Sequence, residues 1–344
     1  MSNTPSPLAE TLKTHEQALH QPLAACVQTA HTQGRDSTPT LPFHYLHEAL
    51  RANAPSLFTA YLQWRFAQEA GDIQVPMQQA LTCIRRILAE EFPEYQGRIQ
   101  DFIQASAYLV QGPETPEQAF PHPDNPLGSL AAAYLQALLQ SDRKKAGNLI
   151  QEAVDQGTAI RDIYLHVFQS TQYEIGRLWQ KNQATVAQEH FCTAVTQLIM
   201  TRLYDRIFAM ERRGRSLVAT CVGGELHELG MRMVADFFEM DGWDTMYLGA
   251  GSSTKNLLTA VDERHPQVVG ISATMTSHVH RVEELIAAIK ERFPSEVKIL
   301  VGGYPFLSTP GLWQQVGGDG FGQDAREAVG AANAFFDRSG RETA

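Results

Sequence analysis

The chain has 344 residues, of which 43% are apolar, 9% aromatic and 19% charged. This composition is that of a globular protein and excludes a chain that is mainly disordered or of low complexity. The 28 Lys and Arg residues are outnumbered by 38 Asp and Glu residues, which gives a formal net charge of −10. Because the phosphates of nucleic acids repel such a surface, we do not expect direct nucleic-acid binding.

The sequence also predicts the compartment in which the protein works. No apolar run approaches the roughly 20 residues that cross a bilayer, and residues 1–16 have neither the basic nor the apolar region of a secretory signal. The four cysteines, Cys26, Cys83, Cys192 and Cys221, lie far apart and without CxxC spacing. We therefore expect a cytoplasmic protein without a membrane partner, whose cysteines are buried or inert thiols.

The first 111 residues have the apolar periodicity of helices. Apolar side chains recur at three- and four-residue steps between Leu46 and Phe66, with a break near Pro55. The pattern returns after Pro76, a proline that is suited to a first helical turn. We predict an all-helical N-terminal domain over residues 1–111, in which no chemical motif is evident.

A proline-rich segment, residues 112–126, separates this region from a second helical one. Five prolines in this segment exclude a helix interior or a central strand, so we predict a linker or an ordered surface loop. Residues 127–213 then return to a period near 3.6, and one of their four helical segments is bounded by a capping Asp142 and a terminating Gly157. Four helices with short connections favour an antiparallel four-helix bundle.

From residue 215 to residue 340 the pattern changes to repeated strand–helix units. Short β-branched runs without alternation, SLVATCV, WDTMYLG, QVVGISA and VKILVGG, are separated by segments of helical period, and a fifth strand is expected near DGFG. These units predict an α/β domain with a doubly wound, flavodoxin-like parallel sheet of about five strands. Ligands bind such sheets at the carboxyl ends of the strands, so the loops there form the candidate site.

The loop after the first predicted strand, GGELHELG, carries the first candidate residues. It places Glu225 and His227 beyond the strand end, and Gly230 opens the next helix. A neutral imidazole can bind a metal ion while a carboxylate two residues earlier accepts its other N–H group and so determines the tautomer. The alternative is a surface histidine beside acidic neighbours.

Two further strand ends carry residues of the same kind. The third strand ends in SATMT, which offers the hydroxyl groups of Ser272 and Thr274. The fourth ends in Gly302 and Gly303, which permit a bulky ligand to approach the backbone closely. Helix capping and a tight turn would explain these residues singly. All three loops lie on one edge of the predicted sheet, however, so one ligand explains them together.

These loops resemble those of the cobalamin-binding domain family, and the resemblance extends over essentially all of 215–337. In that family an Asp- or Glu-x-His-x-x-Gly loop supplies the lower axial histidine of cobalt, and a serine and a Gly-Gly pair line the channel for the nucleotide tail of the cofactor. The resemblance implies that His227 is the cobalt ligand and that Glu225, where the family often has Asp, is its hydrogen-bond partner. The remaining cofactor-binding residues would be Gly230, Ser272, Thr274, Gly302 and Gly303.

The helical bundle provides a second resemblance. Nine residues separate Trp179 from the adjacent pair Glu189 and His190. This spacing is similar to that of light-sensing adenosylcobalamin proteins, in which a four-helix cap covers the upper face of cobalt. The resemblance implies that these three residues, with Val186 beside them, line an upper pocket around the adenosyl group. The alternative for Trp179 is a place in the hydrophobic core.

Two features differ from the DNA-binding members of that photoreceptor group. Residues 1–112 show no basic recognition helix, and Gln180 stands where those proteins have a histidine that can take the upper cobalt position after photolysis. The N-terminal helices and the bundle sequence YLHVFQSTQYEIGRLW also resemble cobalamin photoreceptors that bind a bilin such as biliverdin. The implied cofactors are therefore cobalamin, preferably adenosylcobalamin, and a bilin.

The resemblance implies a light sensor rather than an enzyme. Photolysis of adenosylcobalamin would move the cap against the sheet domain and signal to a regulatory protein partner, with self-association left open. The alternatives are a corrinoid carrier protein of a methyltransferase system and a light-independent cobalamin-sensing adaptor. A mutase is not expected, because the chain has no room for the eight-stranded barrel that would hold its substrate.

Overall fold

A computed structural model describes residues 7–29, 41–66, 74–111, 120–207, 211–294 and 296–337. The chain divides into two compact units. Unit 1 comprises Met1–Glu114, Met275–His280 and Tyr304–Val316, and unit 2 comprises Thr115–Thr274, Arg281–Gly303 and Gly317–Ala344. Residues 112–119 of the predicted linker lie outside the described residues. Among the described helices, none combines the length and the apolarity that a bilayer crossing demands.

The described N-terminal part of unit 1 is helical, as predicted. Pro55 is the first residue of its fourth helix, and Pro76 lies in the first turn of the fifth, where a missing N–H group costs no hydrogen bond. A short 3-10 helix, Pro93–Tyr95, precedes the sixth helix. The helices are α1 Pro7–Thr14, α2 Glu16–Thr29, α3 Leu41–Arg51, α4 Pro55–Phe66, α5 Gln74–Glu91 and α6 Gln96–Gln111.

The cysteines of unit 1 differ from the prediction. Cys26 of α2 and Cys83 of α5, which are 57 positions apart in sequence, form a disulfide with Cα atoms 5.5 Å apart. The expectation of inert thiols was wrong for this pair, because spacing along the chain does not reveal that α2 packs against α5. Cys192 and Cys221 are free and buried, as predicted, and burial raises their pKa values to about 11 and about 12.

The bundle in unit 2 has the predicted order of helices. Asp142 accepts a hydrogen bond from the backbone N–H of Lys145, and Gly157 takes a left-handed conformation with φ of 94° just beyond the same helix. The third helical segment contains a π-helical stretch, Tyr164–Gln169, that the sequence pattern did not indicate. The helices are α7 Gly128–Leu139, α8 Arg143–Asp155, α9 Ile160–Ile163, α10 Ser170–Gln180, α11 Val186–Arg202 and α12 Tyr204–Ile207.

The second half of the chain forms the predicted parallel sheet. Its strands are β1 Ser216–Cys221, β2 Asp244–Tyr247, β3 Val268–Ser272, β4 Lys298–Gly302 and β5 Gly320–Phe321. Their order is β2-β1-β3-β4-β5 with every pair parallel, which confirms the flavodoxin-like fold. The helices between and after the strands are α13 Leu229–Met240, α14 Thr254–Arg264, α15 Val279–Arg292, α16 Tyr304–Ser308, α17 Leu312–Gln315 and α18 Ala325–Asp337.

The register of the sheet determines which loops meet. Cys221 at the end of β1 pairs with Ser272 at the end of β3, and Ser272 pairs with Gly302 at the end of β4. The three central strands therefore end side by side. The loops that follow them emerge from one edge of the sheet, as parallel strands require.

The bundle and the sheet domain share one hydrophobic core within unit 2. Tyr134 of the bundle and Phe237 and Trp243 of the sheet domain are almost fully buried in the same apolar cluster. The hydroxyl group of Tyr164 donates a hydrogen bond to Asp236 Oδ2 at 2.8 Å, and burial raises the pKa of Asp236 to about 6. This shared core holds the bundle beside the sheet.

Candidate functional site

The loop after β1 holds His227 through a buried carboxylate. Glu225 is fully buried, and its Oε1 atom lies 2.5 Å from His227 Nδ1. The same oxygen accepts the backbone N–H of His227 at 3.0 Å. A carboxylate accepts but does not donate, so Nδ1 carries the proton and Nε2 is the atom left to bind a metal ion. The structure therefore has the arrangement that the Glu-x-His spacing suggested.

The second oxygen of Glu225 connects this loop to the one after β3. Glu225 Oε2 accepts the backbone N–H of Thr274 at 2.8 Å. The backbone N–H of Val222, just after β1, donates to the carbonyl oxygen of Ser272 at 3.0 Å. Two strand-end loops are thus joined through one buried carboxylate, which places the imidazole before any ligand arrives.

The imidazole itself reaches solvent although its partner does not. The side chain of His227 is 59% exposed, and that of the preceding Leu226 is exposed as well. The hydrogen bond to Glu225 raises the pKa of His227 above its usual value, burial opposes this, and the negative charge of Glu189 on α11 adds to the increase. An exposed imidazole whose other nitrogen is held on a buried carboxylate is suited to bind a metal ion through Nε2.

The glycines at this edge have two different roles. Gly303 has a φ of 106°, and a Cβ atom there would overlap the carbonyl oxygen of Ala273, so only glycine fits this turn. At Gly302 and Gly230 a Cβ atom would meet no heavy atom within 4 Å. Open space therefore lies beside these two residues, while Ser272, which pairs with Gly302 in the sheet, is buried. These observations fit a cofactor that approaches the strand ends.

Glu228, which the sequence analysis did not single out, connects three elements around His227. Its Oε1 atom accepts a hydrogen bond from Gln197 of α11 at 3.2 Å, and its Oε2 atom accepts the backbone N–H of Ala250, after β2, at 2.9 Å. The hydroxyl group of Tyr247 donates to its carbonyl oxygen at 3.1 Å. In the sequence, the one indication that Glu228 belongs to the site is its position next to His227 in the GELHELG motif.

The predicted upper-pocket residues gather at the corner between α10 and α11. Trp179 lies in the last turn of α10 and is partly exposed. Among the described residues it is outside the shared apolar cluster, whereas its neighbour Leu178 packs against that cluster. Val186, the first residue of α11, is 51% exposed. Trp179 is therefore not a residue of the main core, which was the alternative for it.

The glutamate–histidine pair that follows on α11, Glu189 and His190, is also at the surface. Glu189 Oε2 lies 2.5 Å from His190 Nδ1, and the side chain of His190 is 75% exposed. Glu189 also accepts a hydrogen bond from the hydroxyl group of Thr193 at 3.1 Å. Since Glu189 acts electrostatically on His227 and Gln197 bonds to Glu228, α11 runs along the loop that carries the predicted cobalt ligand.

Two known families match parts of this chain. One B12 binding domain family matches residues 215–330, and a second B12 binding domain family matches residues 130–204. The first segment contains the whole sheet and its strand-end loops, and the second contains most of the bundle. Both matches are to B12 binding domains, and together they cover the Rossmann-like sheet domain and most of the helix bundle that precedes it.

Among curated proteins, the chain is 24% identical to a corrinoid protein of Desulfitobacterium hafniense, over 60% of this chain and 98% of the relative. It is 25% identical to trimethylamine corrinoid protein 2 of Methanosarcina mazei, over 58% of this chain and 92% of that protein. With dimethylamine corrinoid protein 2 of the same organism the identity is 31%, over 35% of this chain and 56% of the relative.

The fold is also that of a solved corrinoid protein. The monomethylamine corrinoid protein of Methanosarcina barkeri matches with a TM-score of 0.54 and 17% identity, over 59% of this chain and 97% of that protein. The names of these families and relatives refer to B12 or to corrinoids, and none refers to light, to an adenosyl group or to a bilin.

Proposed function

We propose that this protein is a corrinoid carrier, which holds cobalamin at the carboxyl edge of the sheet and presents it to a methyltransferase partner. The observation that carries the proposal is the exposed His227, whose Nδ1 is held by the buried Glu225. The similarity to corrinoid proteins named for methylamines favours a carrier over the other functions of this fold.

In this proposal each of the loop residues has a separate role in binding the cofactor. His227 would hold the cobalt of the cofactor through Nε2, and Glu225 would determine the tautomer and the orientation of the ring. The open space at Gly230 and Gly302 and the tight turn at Gly303 admit the nucleotide tail along the strand ends. The final two residues proposed to contact the tail are Ser272 and Thr274.

The bound cofactor would supply a cobalt centre that accepts and releases an alkyl group. The part of this chain is to orient that centre and to control access to its upper face. Trp179, Val186, Glu189 and His190 are proposed to lie on the upper side, because they gather at one corner of the bundle and Glu189 acts on His227. The matched segments fall inside the expected modules, a cap over 127–213 and a sheet domain over 215–340.

A second candidate function is an adenosylcobalamin light sensor. It is favoured by Trp179, which is partly exposed among the described residues rather than part of the shared core, as a side chain that packs against an adenosyl group would be. In this alternative the contacts made with the adenosyl group are lost on photolysis, and the protein changes shape or assembly for a regulatory partner. A bilin would be an additional chromophore in this alternative.

One experiment separates the two functions. The purified full-length protein is loaded with methylcobalamin or adenosylcobalamin, and its absorption spectrum and its light-scattering radius are recorded in the dark and after green light. A carrier should transfer the methyl group to a thiol acceptor when a methyltransferase that uses that thiol is added, and should keep the same radius in dark and light. A sensor should change radius or mass only with adenosylcobalamin, without supporting methyl transfer.

The same preparation tests the shared part of the proposal and the bilin. If neither cobalamin binds, or if the spectrum of bound cob(III)alamin is the same with His227→Ala, the assignment of His227 is wrong for both functions. Addition of biliverdin should leave the spectrum a simple sum of protein and free pigment in a carrier. A new red absorption band would instead favour the photoreceptor alternative.

A further inference from the structure

Unit 1 contains a group of three metal-binding side chains. Glu16 and His20 are four residues apart on α2, so both project from the same face of that helix. His44 of α3 completes the group: its Nδ1 atom lies 4.0 Å from Glu16 Oε1, and one donor atom from each residue lies within 4.8 Å of the other two. Two neighbouring helices thus direct two imidazoles and one carboxylate to one point.

The contact between Glu16 and His20 is not an ordinary hydrogen bond. His20 Nε2 lies 3.3 Å from Glu16 Oε1, yet this buried nitrogen atom has no hydrogen-bond partner, because the two atoms are close but not aligned. A buried polar atom without a partner carries a free-energy cost. Two ligand atoms that lie this close without a hydrogen bond between them can share one cation.

We propose that Glu16, His20 and His44 form a zinc-type site for a divalent cation. Two imidazoles and one carboxylate suit zinc and similar transition-metal ions, whereas magnesium and calcium prefer oxygen ligands throughout. With metal–ligand bonds near 2.1 Å, the ligand atoms of a tetrahedral site lie about 3.4 Å apart. The separations of 3.3 and 4.0 Å bracket this value.

The orientation of the two imidazole rings is consistent with one shared ion. The ring centroids of His20 and His44 lie 5.7 Å apart with an interplanar angle of 68°. Two imidazoles on one tetrahedral ion place their centroids about 5 Å apart, so the rings need only a small approach. Because the side chains of His44 and Glu16 are 47% and 38% exposed, a cation can enter and a fourth position stays open to water.

A neighbouring cluster in the same unit has side chains of the same kinds, but its carboxylate already has other partners. Glu48 on α3 is almost fully buried, but its oxygens already accept hydrogen bonds from the guanidinium group of Arg51 and from the backbone N–H of His280. The imidazoles of His47 and His280 also lie within 3.4 and 3.0 Å of it. His280 Nδ1, like His20 Nε2, is a buried nitrogen without a hydrogen-bond partner. Burial opposes the ionisation of Glu48, but the neighbouring groups hold its pKa down at about 2, and Arg51 balances part of its charge.

The test uses the full-length protein with cobalamin bound and with trace metals removed by a chelator that is then dialysed away. Zinc alone is titrated against it in competition with a chromophoric chelator. We expect one zinc ion per chain, bound with a dissociation constant in the micromolar range or below. The zinc-edge X-ray absorption spectrum should show two imidazoles and oxygen ligands, and it is not affected by the cobalt.

The variants are His44→Gln and His20→Gln, each of which should weaken zinc binding at least tenfold. The matched control is His122→Gln, which removes an exposed histidine that lies 3.7 Å from Asp124 in unit 2. The control should bind zinc as the wild type does. Far-UV circular dichroism and the cobalamin spectrum show whether each variant is folded. If His20→Gln unfolds, His44→Gln still tests the proposal, because the side chain of His44 is nearly half exposed and its replacement should leave the fold intact.

Three results would overturn the proposal. The first is the absence of stoichiometric zinc binding to the wild-type chain. The second is zinc affinity in the folded His44→Gln variant equal to that of the wild type, which would place the ion elsewhere. The third is a zinc-edge spectrum without imidazole scattering. None of these results bears on His227 and cobalamin, so the two proposals stand or fall separately.

Discussion

Two glutamate–histidine pairs lie near each other in unit 2 and have the same contact but different surroundings. In the strand-end loop, Glu225 Oε1 lies 2.5 Å from His227 Nδ1, and on the cap helix α11, Glu189 Oε2 lies 2.5 Å from His190 Nδ1. Glu225 is fully buried, whereas the side chain of Glu189 is 29% exposed. The distance alone therefore does not distinguish the two pairs.

Their other partners do distinguish them. Glu225 also accepts hydrogen bonds from two backbone N–H groups, those of His227 and Thr274. A backbone N–H group cannot rotate away from its acceptor as a side-chain hydroxyl group can. Glu189 accepts one further hydrogen bond, from the hydroxyl group of Thr193, which can rotate. In addition, adjacent residues on a helix do not face each other, so α11 itself does not enforce the contact between Glu189 and His190.

The difference shows what a ligand histidine needs. A metal-binding imidazole must be held in one tautomer and one orientation while its second nitrogen remains accessible. The loop pair meets both requirements, because the carboxylate is buried and the ring is exposed. The cap pair leaves the ring free to turn, which suits a residue that contacts a cofactor at its periphery rather than one that holds the cobalt.

The largest effect is expected from removing the ring of the loop pair. His227→Ala should lower the affinity for cobalamin by roughly 100-fold or more, since even the loss of a partner of a metal ligand costs about 10–100-fold. The absorption spectrum of any bound cob(III)alamin should shift to the form without a protein imidazole. His190→Ala is the matched control and should retain nearly all of the affinity. A larger loss of cobalamin affinity in His190→Ala than in His227→Ala would contradict the comparison.

Glu225→Gln should have the next largest effect. Three N–H groups share the two oxygens of Glu225, from His227 Nδ1, the His227 backbone and the Thr274 backbone. An amide has one oxygen, so its NH₂ group would face a donor and the loop would have to shift. We expect a loss of affinity of about 10-fold, less than for His227→Ala.

The control for that change is Glu189→Gln. Its amide oxygen can still accept from Thr193, and its charge is not needed to hold the ring of a ligand. Isothermal titration with cobalamin should therefore give an affinity within about 3-fold of the wild type, because an exposed contact of this kind is worth less than about 1 kcal/mol. Equal losses in both glutamine variants would show that burial of the carboxylate does not matter here.

Trp179→Ala tests the cap side of the comparison. Because Trp179 is partly exposed and, within the described part of the chain, lies outside the shared apolar cluster, its loss should destabilise the protein by less than the roughly 3–5 kcal/mol typical of a buried tryptophan. If it packs on an adenosyl group, the variant should lose several-fold of any preference for adenosylcobalamin over methylcobalamin. Urea unfolding and competitive binding of the two cofactors measure both effects. Trp179→Phe should restore part of the preference.

Much of this architecture could be predicted from the sequence, because its signals are local. The four β-branched runs and the bounded helix between Asp142 and Gly157 indicate their elements directly, and parallel strands must end at one edge. The spacing of Glu225 and His227 likewise suggests a hydrogen bond within one loop. Thr274 was selected for its hydroxyl group, whereas the structure shows its backbone N–H bound to Glu225.

The features that the sequence did not reveal depend on which helices and loops come together. Nothing local indicates that Cys26 meets Cys83 or that Glu228 receives donors from the bundle and from the loop after β2. For the histidine clusters of unit 1, the sequence contains one local indication, a stripe of polar residues on α3 at three- and four-residue steps. Its members are His44, His47, Glu48 and Arg51. The partners on α2 become evident only when the two helices are packed.

The smallest effect that we predict measures the electrostatic link between the two pairs. The negative charge of Glu189 contributes to the raised pKa of His227, after the larger contribution of the hydrogen bond to Glu225. Glu189→Gln should therefore lower the pKa of His227 in the cobalamin-free protein, because a neutral amide no longer favours the imidazolium form. Glu225→Gln should lower it further, since that variant removes both a hydrogen bond and a charge. Histidine ring resonances followed by NMR through a pH titration measure the two shifts. An unchanged His227 titration in Glu189→Gln would mean that solvent screens the cap pair completely from the loop, and the upper position proposed for Glu189 would lose its support.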